Sequence, residues 1–188
     1  MGNWMALFSE IEACEKCGLC QARTHVVPGE GDPHADVMFV GEGPGADEDR
    51  QGRPFVGASG MLLNSMLKAI DISRSDVYIA NIAKCRPPAN RTPTADEAAA
   101  CLPYLRRQIE LVKPKIIVAL GGTAARYLID EDVRIRRDHG QWKEIDGISM
   151  MATYHPSALL RDASQKRDAW ADFCTLRDRL KEINGNDD

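Results

Sequence analysis

The chain has no long hydrophobic run, and nothing in it approaches the roughly 20 apolar residues of a membrane span. Its N-terminus lacks the charged-then-apolar pattern of a secretory signal. No charge of one sign dominates: 24 Lys and Arg stand against 28 Asp and Glu, for a net charge of −4. That balance argues against a general cationic coat for nucleic acid but leaves room for a local basic groove. Internal repeats and low-complexity linkers are absent. These absences predict a cytoplasmic protein, in a compartment where disulfides are rare. A chain of 188 residues is long enough to bury its own core, and 1–188 is expected to form one domain.

Against that background the six cysteines stand out. In a reducing compartment they favour metal ligation over cross-links. Cys14 and Cys17 form a Cys-x2-Cys pair, and Cys85 and Cys101 follow with fifteen residues between them. Four thiolates suit a tetrahedral metal or an iron–sulfur cluster, and spacing alone does not choose between them. Their convergence would tie an N-terminal segment at about residues 10–25 to the middle of the chain.

Three runs read as buried strands: Asp36–Val40, Val77–Ile82 and Lys115–Leu120. A weaker, Met-rich fourth is Ser149–Tyr154. Leu62, Leu63, Met66, Leu67 and Ile70 follow helical spacing. Thr94 and Glu97 fit a capping box opening a second helix, in which Pro103 predicts a kink or restart near Cys101. Gly121-Gly122 opens a short helix to Leu128. A last helix is expected over Gln165–Ile183, with Asn184–Asp188 frayed. Alternating strands and helices predict an α/β fold with a parallel sheet covered on both faces. Ligands in such folds bind beyond the carboxyl ends of the strands.

The loops at those ends carry polar chemistry. After the first strand, Gly41–Asp49 combines three glycines with four carboxylates. It lacks Gly-x-Gly-x-x-Gly spacing and a following Lys-Ser/Thr, so a phosphate loop fits poorly. Its carboxylates suit holding a water or facing a developing positive charge. Phe55, between Pro54 and a glycine, reads as core or as a stacking platform for a flat ring. Asn81 ends the second strand as a turn residue or as a reader of an amide-like base edge. Lys84–Arg91 is a stiff basic loop, either solvated or gripping phosphate. His155–Arg161 follows the fourth strand, with Ala158-Leu159 placed to push into a base stack.

Taken together, Gly41–Asp49, Gly52–Gly57, Asn81 with Lys84–Pro88, and His155–Arg161 resemble the family 4 uracil-DNA glycosylases. The motifs stand in family order with all four cysteines, over roughly Cys14 to Arg161. The resemblance implies a three-layer α/β/α fold around a four-stranded parallel sheet. It implies a 4Fe–4S cluster on Cys14, Cys17, Cys85 and Cys101 rather than zinc. Cys20 is a rival ligand by position; it is expected to be a packing residue, and Cys174 a helix-core thiol. The implied partner is uracil-containing DNA, single- or double-stranded, bound by a monomer.

On this resemblance Phe55 stacks on a flipped uracil, Asn81 reads its far edge and His155 donates to O2. Glu42 places the attacking water, with Glu48 and Asn90 as helpers. Backbone at Gly43 forms the wall that excludes the thymine methyl. Arg86, Arg91 and Arg161 hold phosphates, with Lys84 as a further cation, and Ser157 and Leu159 touch the DNA. The segment Arg134–His139 is another basic candidate, or a solvated loop. A related group traps the sugar covalently through a His in a basic loop after the cluster cysteine; Cys85–Pro93 has no His, which argues against capture. A non-enzymatic iron–sulfur DNA-interaction module is the other alternative, and the retained catalytic-type residues favour an enzyme.

Overall fold

The computed structural model describes residues 2–185. Six strands form one sheet: β1 (Glu30–Gly31), β2 (Val37–Gly41), β3 (Tyr78–Asn81), β4 (Ile116–Leu120), β5 (Trp142–Ile145) and β6 (Ile148–Thr153). Their order is β1-β3-β2-β4-β6-β5. The four inner strands are parallel, and β1 and β5 close the edges antiparallel. The expected four-stranded parallel core is present, inside a mixed six-stranded sheet. The edge strands escaped the sequence reading because Glu30–Gly31 has only two residues, and Trp142–Ile145 has neither a buried run nor a strict alternation, with Lys143 and Glu144 both exposed between two half-buried ends.

Period-two alternation sorts the inner strands onto two cores. Met38, Val40, Ile117 and Ala119 face a cluster completed by Leu102 and Leu105 of α4 (Ala95–Val112) and by Ala124 and Ala125 of α5 (Gly122–Leu128). Val37, Phe39, Val118 and Met151 face the other. There they meet Leu63 and Leu67 of α3 (Ala58–Ala69), and Phe173 and Leu176 of α8 (Lys166–Gly185). The result is three layers. Each such fully buried side chain contributes about 1.5–3 kcal/mol.

Thr94 and Glu97 form the capping box as read: Thr94 Oγ1 accepts from Glu97 N–H at 3.2 Å and Glu97 accepts from Thr94 N–H at 2.8 Å. Pro103 does not end the helix; α4 runs through it. The carbonyl that Pro103 leaves without a donor belongs to Ala99, an exposed residue, so water can take that bond. At the C-terminus α8 extends through Asn184 and Gly185, where fraying was expected; 186–188 lie outside the described residues.

The sequence reading missed α1 (Gly2–Glu12), which packs on α4 through Leu7, Ile11 and Tyr104. After it the chain crosses to the sheet. Val27 N–H donates to the Lys84 carbonyl at 2.7 Å, and Thr24 N–H to Asp49 Oδ1 at 2.8 Å. No helix among the described residues is long and apolar enough to cross a membrane.

Candidate active site

The inner strands end together. Gly41 of β2 pairs with Asn81 of β3, and Gly121 N–H donates to the Thr153 carbonyl at the end of β6. Glu42, Asn81, Thr123 and His155 therefore meet at the carboxyl ends of the inner strands, lining a cleft of about 630 Å³ with Phe55 and Gly43.

Asn81 is 1% exposed, and its Oδ1 is buried with no hydrogen-bond partner among the described residues. An orphaned acceptor of this kind costs about 1–3 kcal/mol unless a ligand satisfies it. Gly41 makes room for it: a Cβ there would lie 2.5 Å from Asn81 Oδ1 and 2.7 Å from Phe55 Cζ. At Gly43 an added Cβ would rest at ordinary contact, 3.6 Å from Ala83 and 3.7 Å from Pro87. The tight approach of an added Cβ is thus at Gly41, while Gly43, where the wall was expected, lines the cleft.

Phe55 is buried, with its ring 5.4 Å from that of His155 and 30° from parallel. Its backbone is left-handed, at φ 50°. Arg74 holds that turn by donating to the carbonyls of Pro54 at 2.5 Å and Phe55 at 2.9 Å, while Glu30 Oε1 accepts from Arg74 at 2.8 Å. Arg53 reaches the same carboxylate. Glu48 secures the other side of the loop. Its Oε1 accepts from Val56 and Gly57 N–H at 3.0 and 2.9 Å, and its Oε2 from Gly45 N–H at 3.1 Å. With both oxygens so engaged, Glu48 positions the loop instead of doing chemistry in the cleft.

His155 caps α7 (Pro156–Arg161). Its Nδ1 accepts from Ser157 N–H at 3.0 Å and lies 2.8 Å from Ser157 Oγ. A backbone N–H only donates, so Nδ1 is bare and the proton of the neutral ring sits on Nε2. Burial, then the Arg161 cation, push the imidazole down to about 4, against an opposing pull from Glu48. His155 is therefore neutral at pH 7 and still a hydrogen-bond donor.

Glu42 has a partner the sequence did not announce. Thr123 Oγ1 donates to Glu42 Oε2 at 2.6 Å, and Thr92 Oγ1 lies 3.4 Å from the same oxygen. Gly121-Gly122 marked the turn, but nothing in the sequence tied it to a carboxylate 81 residues earlier.

Several sequence-based roles change. Leu159 is 1% exposed, packed with Tyr154 and Ala169, and cannot wedge into DNA as placed; its neighbour Leu160 is half exposed. Lys84 is 1% exposed, and its Nζ donates to the Asn81 carbonyl at 2.9 Å and to Gln108 at 2.6 Å, so it braces a strand end and meets no phosphate. Burial lowers its pKa to about 8. Ser157 serves His155. Asn90 accepts from Arg86 at 2.8 Å, and Arg91 makes a two-pronged pair with Glu97. Arg91, Arg126, Arg136 and Arg161 all line the cleft. Arg137 is paired with Asp138.

Cys14, Cys17, Cys85 and Cys101 line one small cavity on the α1 side, and Cys20 shares its wall instead of being purely a packing residue. Cys174 lies apart on α8, half-buried. Arg23 donates to Cys85 Sγ and Lys84 N–H to Cys101 Sγ, each at 3.2 Å. Burial raises the Cys85 thiol, and pushes Cys101 up to about 11. Among the described residues no three ligand-type side chains meet closely enough for a single ion.

A parallel α/β sheet with an orphaned amide, a stacked aromatic and a neutral histidine at its strand ends is matched by one family model. The uracil DNA glycosylase superfamily covers residues 28–174, and the chain belongs to it. The type-4 uracil-DNA glycosylase of Sulfurisphaera tokodaii is 45% identical over 178 residues, 90% of this chain and 81% of its own length. That of Thermotoga maritima is 48% identical over 86% of each chain, and that of Archaeoglobus fulgidus 44% over 87% and 86%. Within the superfamily the chain is of the type-4 family.

Proposed function

We propose that this protein hydrolyses the N-glycosidic bond of deoxyuridine in DNA, releasing uracil and leaving an abasic site. The observation that carries this is the buried, unpartnered Asn81 Oδ1 facing the slot that Gly41 opens beside Phe55. Uracil presents an N3–H donor next to the O4 acceptor. Asn81 Oδ1 takes the first and its amide N–H donates to the second, whereas cytosine presents the reverse pattern.

The nucleotide leaves the base stack and enters the cleft, its ring against Phe55. As the bond breaks, its electron pair moves onto the base. The His155 Nε2–H donates to O2 and meets the growing charge. A preorganised donor of this type contributes about 2.7–4 kcal/mol. Positive charge grows on the sugar, where Glu42 Oε1 faces it and holds the attacking water. Glu48, Ser157 and Arg74 keep these groups in place. Arg86, Arg91 and Arg161 take phosphates at the rim, joined by Arg126 and Arg136. DNA must displace the Arg91–Glu97 pair to use Arg91, a modest cost because the arginine is partly exposed.

The cysteine-lined cavity supplies the donor chemistry of a 4Fe–4S cluster, which we assign to Cys14, Cys17, Cys85 and Cys101, with Cys20 on the same wall. Two N–H groups already point at sulfur, the kind of donor that steadies a metal-bound thiolate against the burial that raises both thiols. Such a cluster would be a structural tie, fixing the Cys85–Arg91 loop to the N-terminal segment. We place the enzyme in the cytoplasm, acting as a monomer on double- or single-stranded DNA.

A single-uracil oligonucleotide, treated with enzyme and then alkali, tests this reading. Strand breaks are expected at uracil and none at thymine or cytosine in the same position. Glu42→Ala and His155→Ala should each slow excision by roughly 100-fold or more. Wild-type rates in both variants would remove the assignments.

A further inference from the structure

We propose that Thr123 is a positioning residue for the excision reaction, acting by fixing the orientation in which the Glu42 carboxylate presents its untied oxygen to the substrate. This rests on the role given to Glu42 above. Thr123 is 7% exposed and stands in the first turn of α5. Its hydroxyl lies 2.6 Å from Glu42 Oε2. An ionised carboxylate only accepts, so Thr123 is the donor. Thr92 approaches the same oxygen at 3.4 Å, from the loop that follows Cys85. Both hydroxyls fall on Oε2. The terminal torsion of a glutamate is broad, so an untied carboxylate samples many orientations. With Oε2 tied, Oε1 is the oxygen left to hold water and face the sugar.

The turn before Thr123 also touches the other catalytic side chain. Gly121 adopts φ 91°, and a Cβ there would lie 3.0 Å from His155 Cβ. Its N–H is bonded to the Thr153 carbonyl at 2.8 Å, two residues before His155. One turn thus sets Glu42, through Thr123, and abuts His155. Small displacements of a reacting group are expensive, so a lost hydroxyl here should be read in the chemical step and not in DNA affinity.

The test is single-turnover excision on a uracil-containing duplex over a range of enzyme concentrations. Thr123→Val and Thr123→Ala should lower the maximal rate on the order of 10- to 100-fold. The half-saturating enzyme concentration should stay within about threefold of wild type. Thr123→Ser keeps the hydroxyl and should stay near the wild-type rate. In a Glu42→Ala background, Thr123→Val should cost nothing further. Thermal melts identify any variant that does not fold; if valine fails, the alanine and serine variants carry the comparison. A slow Glu42→Ala enzyme with a wild-type rate for the folded hydroxyl-less variants would overturn the proposal. So would an undiminished Thr123→Val loss in the Glu42→Ala background. A fast Glu42→Ala enzyme would instead overturn the Glu42 assignment, and this inference with it.

Discussion

His155 combines two requirements that oppose each other in water: it must donate a hydrogen bond and stay uncharged. Ser157 N–H occupies Nδ1 and places the proton on Nε2, and burial holds the ring neutral to about pH 4. The consequence is a pH profile without a His155 limb near 6.5. Because the folded pKa lies below the ordinary 6.5, the buried neutral ring contributes stability that is complete above pH 6.5. That contribution is lost as pH falls through about 4. Single-turnover rates should therefore show no histidine inflection from about pH 8 to 5.5. Acid unfolding should be less steep in a His155→Gln variant than in wild type. An NMR titration of the His155 ring with a midpoint near 6.5 would contradict this. The place of this residue at a strand end, where such folds bind ligands, was legible in the sequence, although a lone His there reads more readily as a structural hydrogen-bonder and its role came from the family resemblance. Its tautomer was not legible, because that depends on where the Ser157 amide points.

At the scale of elements, the loop carrying Phe55 is the most constrained part of the site. A left-handed phenylalanine costs about 1–3 kcal/mol and persists only where its surroundings hold it. Arg74 supplies much of that hold from 19 and 20 residues away. Arg74→Met should free the loop and lower excision by roughly 5- to 150-fold, the kinetic equivalent of that strain. A fall in Phe55 order should accompany it, read as faster amide exchange at Val56 and Gly57. Unchanged exchange and an unchanged rate would mean that Glu48 suffices alone. The motif Gly52–Gly57 was legible as part of the family resemblance, but Arg74 gave no local signal, because its partners are carbonyls set beside it by the fold. Leu159 failed for the converse reason. In the sequence Ala158-Leu159 stands in a polar loop, but one helical turn rotates Leu159 inward and Leu160 out.

Over the whole molecule, the fold brings the N-terminal cysteines and the start of the Cys85–Thr92 loop to one cavity, where the proposed cluster would tie the two together. Cys85 opens the loop that ends at Thr92, whose hydroxyl approaches Glu42, so the tie reaches toward the chemistry. Cys85→Ser or Cys101→Ser should lose iron and acid-labile sulfide. Either should lower Tm by about 10 °C, the size of a loss near 3–4 kcal/mol in a chain of this length. DNA affinity should fall before the preference for uracil over thymine changes. A cysteine variant with normal Tm and DNA affinity but lost base preference would refute the structural role.

The sequence alone determined the alternation of elements, the parallel core, the loops that carry chemistry and the two cysteine pairs. Each is local: periodicity, caps and turn residues act over a few positions, and motif order survives without coordinates. Only the tertiary structure decided which oxygen of Glu42 is free and that Glu48 is spent on backbone amides. It alone placed Lys84 under the sheet edge, brought five cysteines to one cavity and pressed Gly41 against Asn81. These are contacts between residues far apart in the chain. Their partners are selected by packing, and composition and spacing carry no record of that selection.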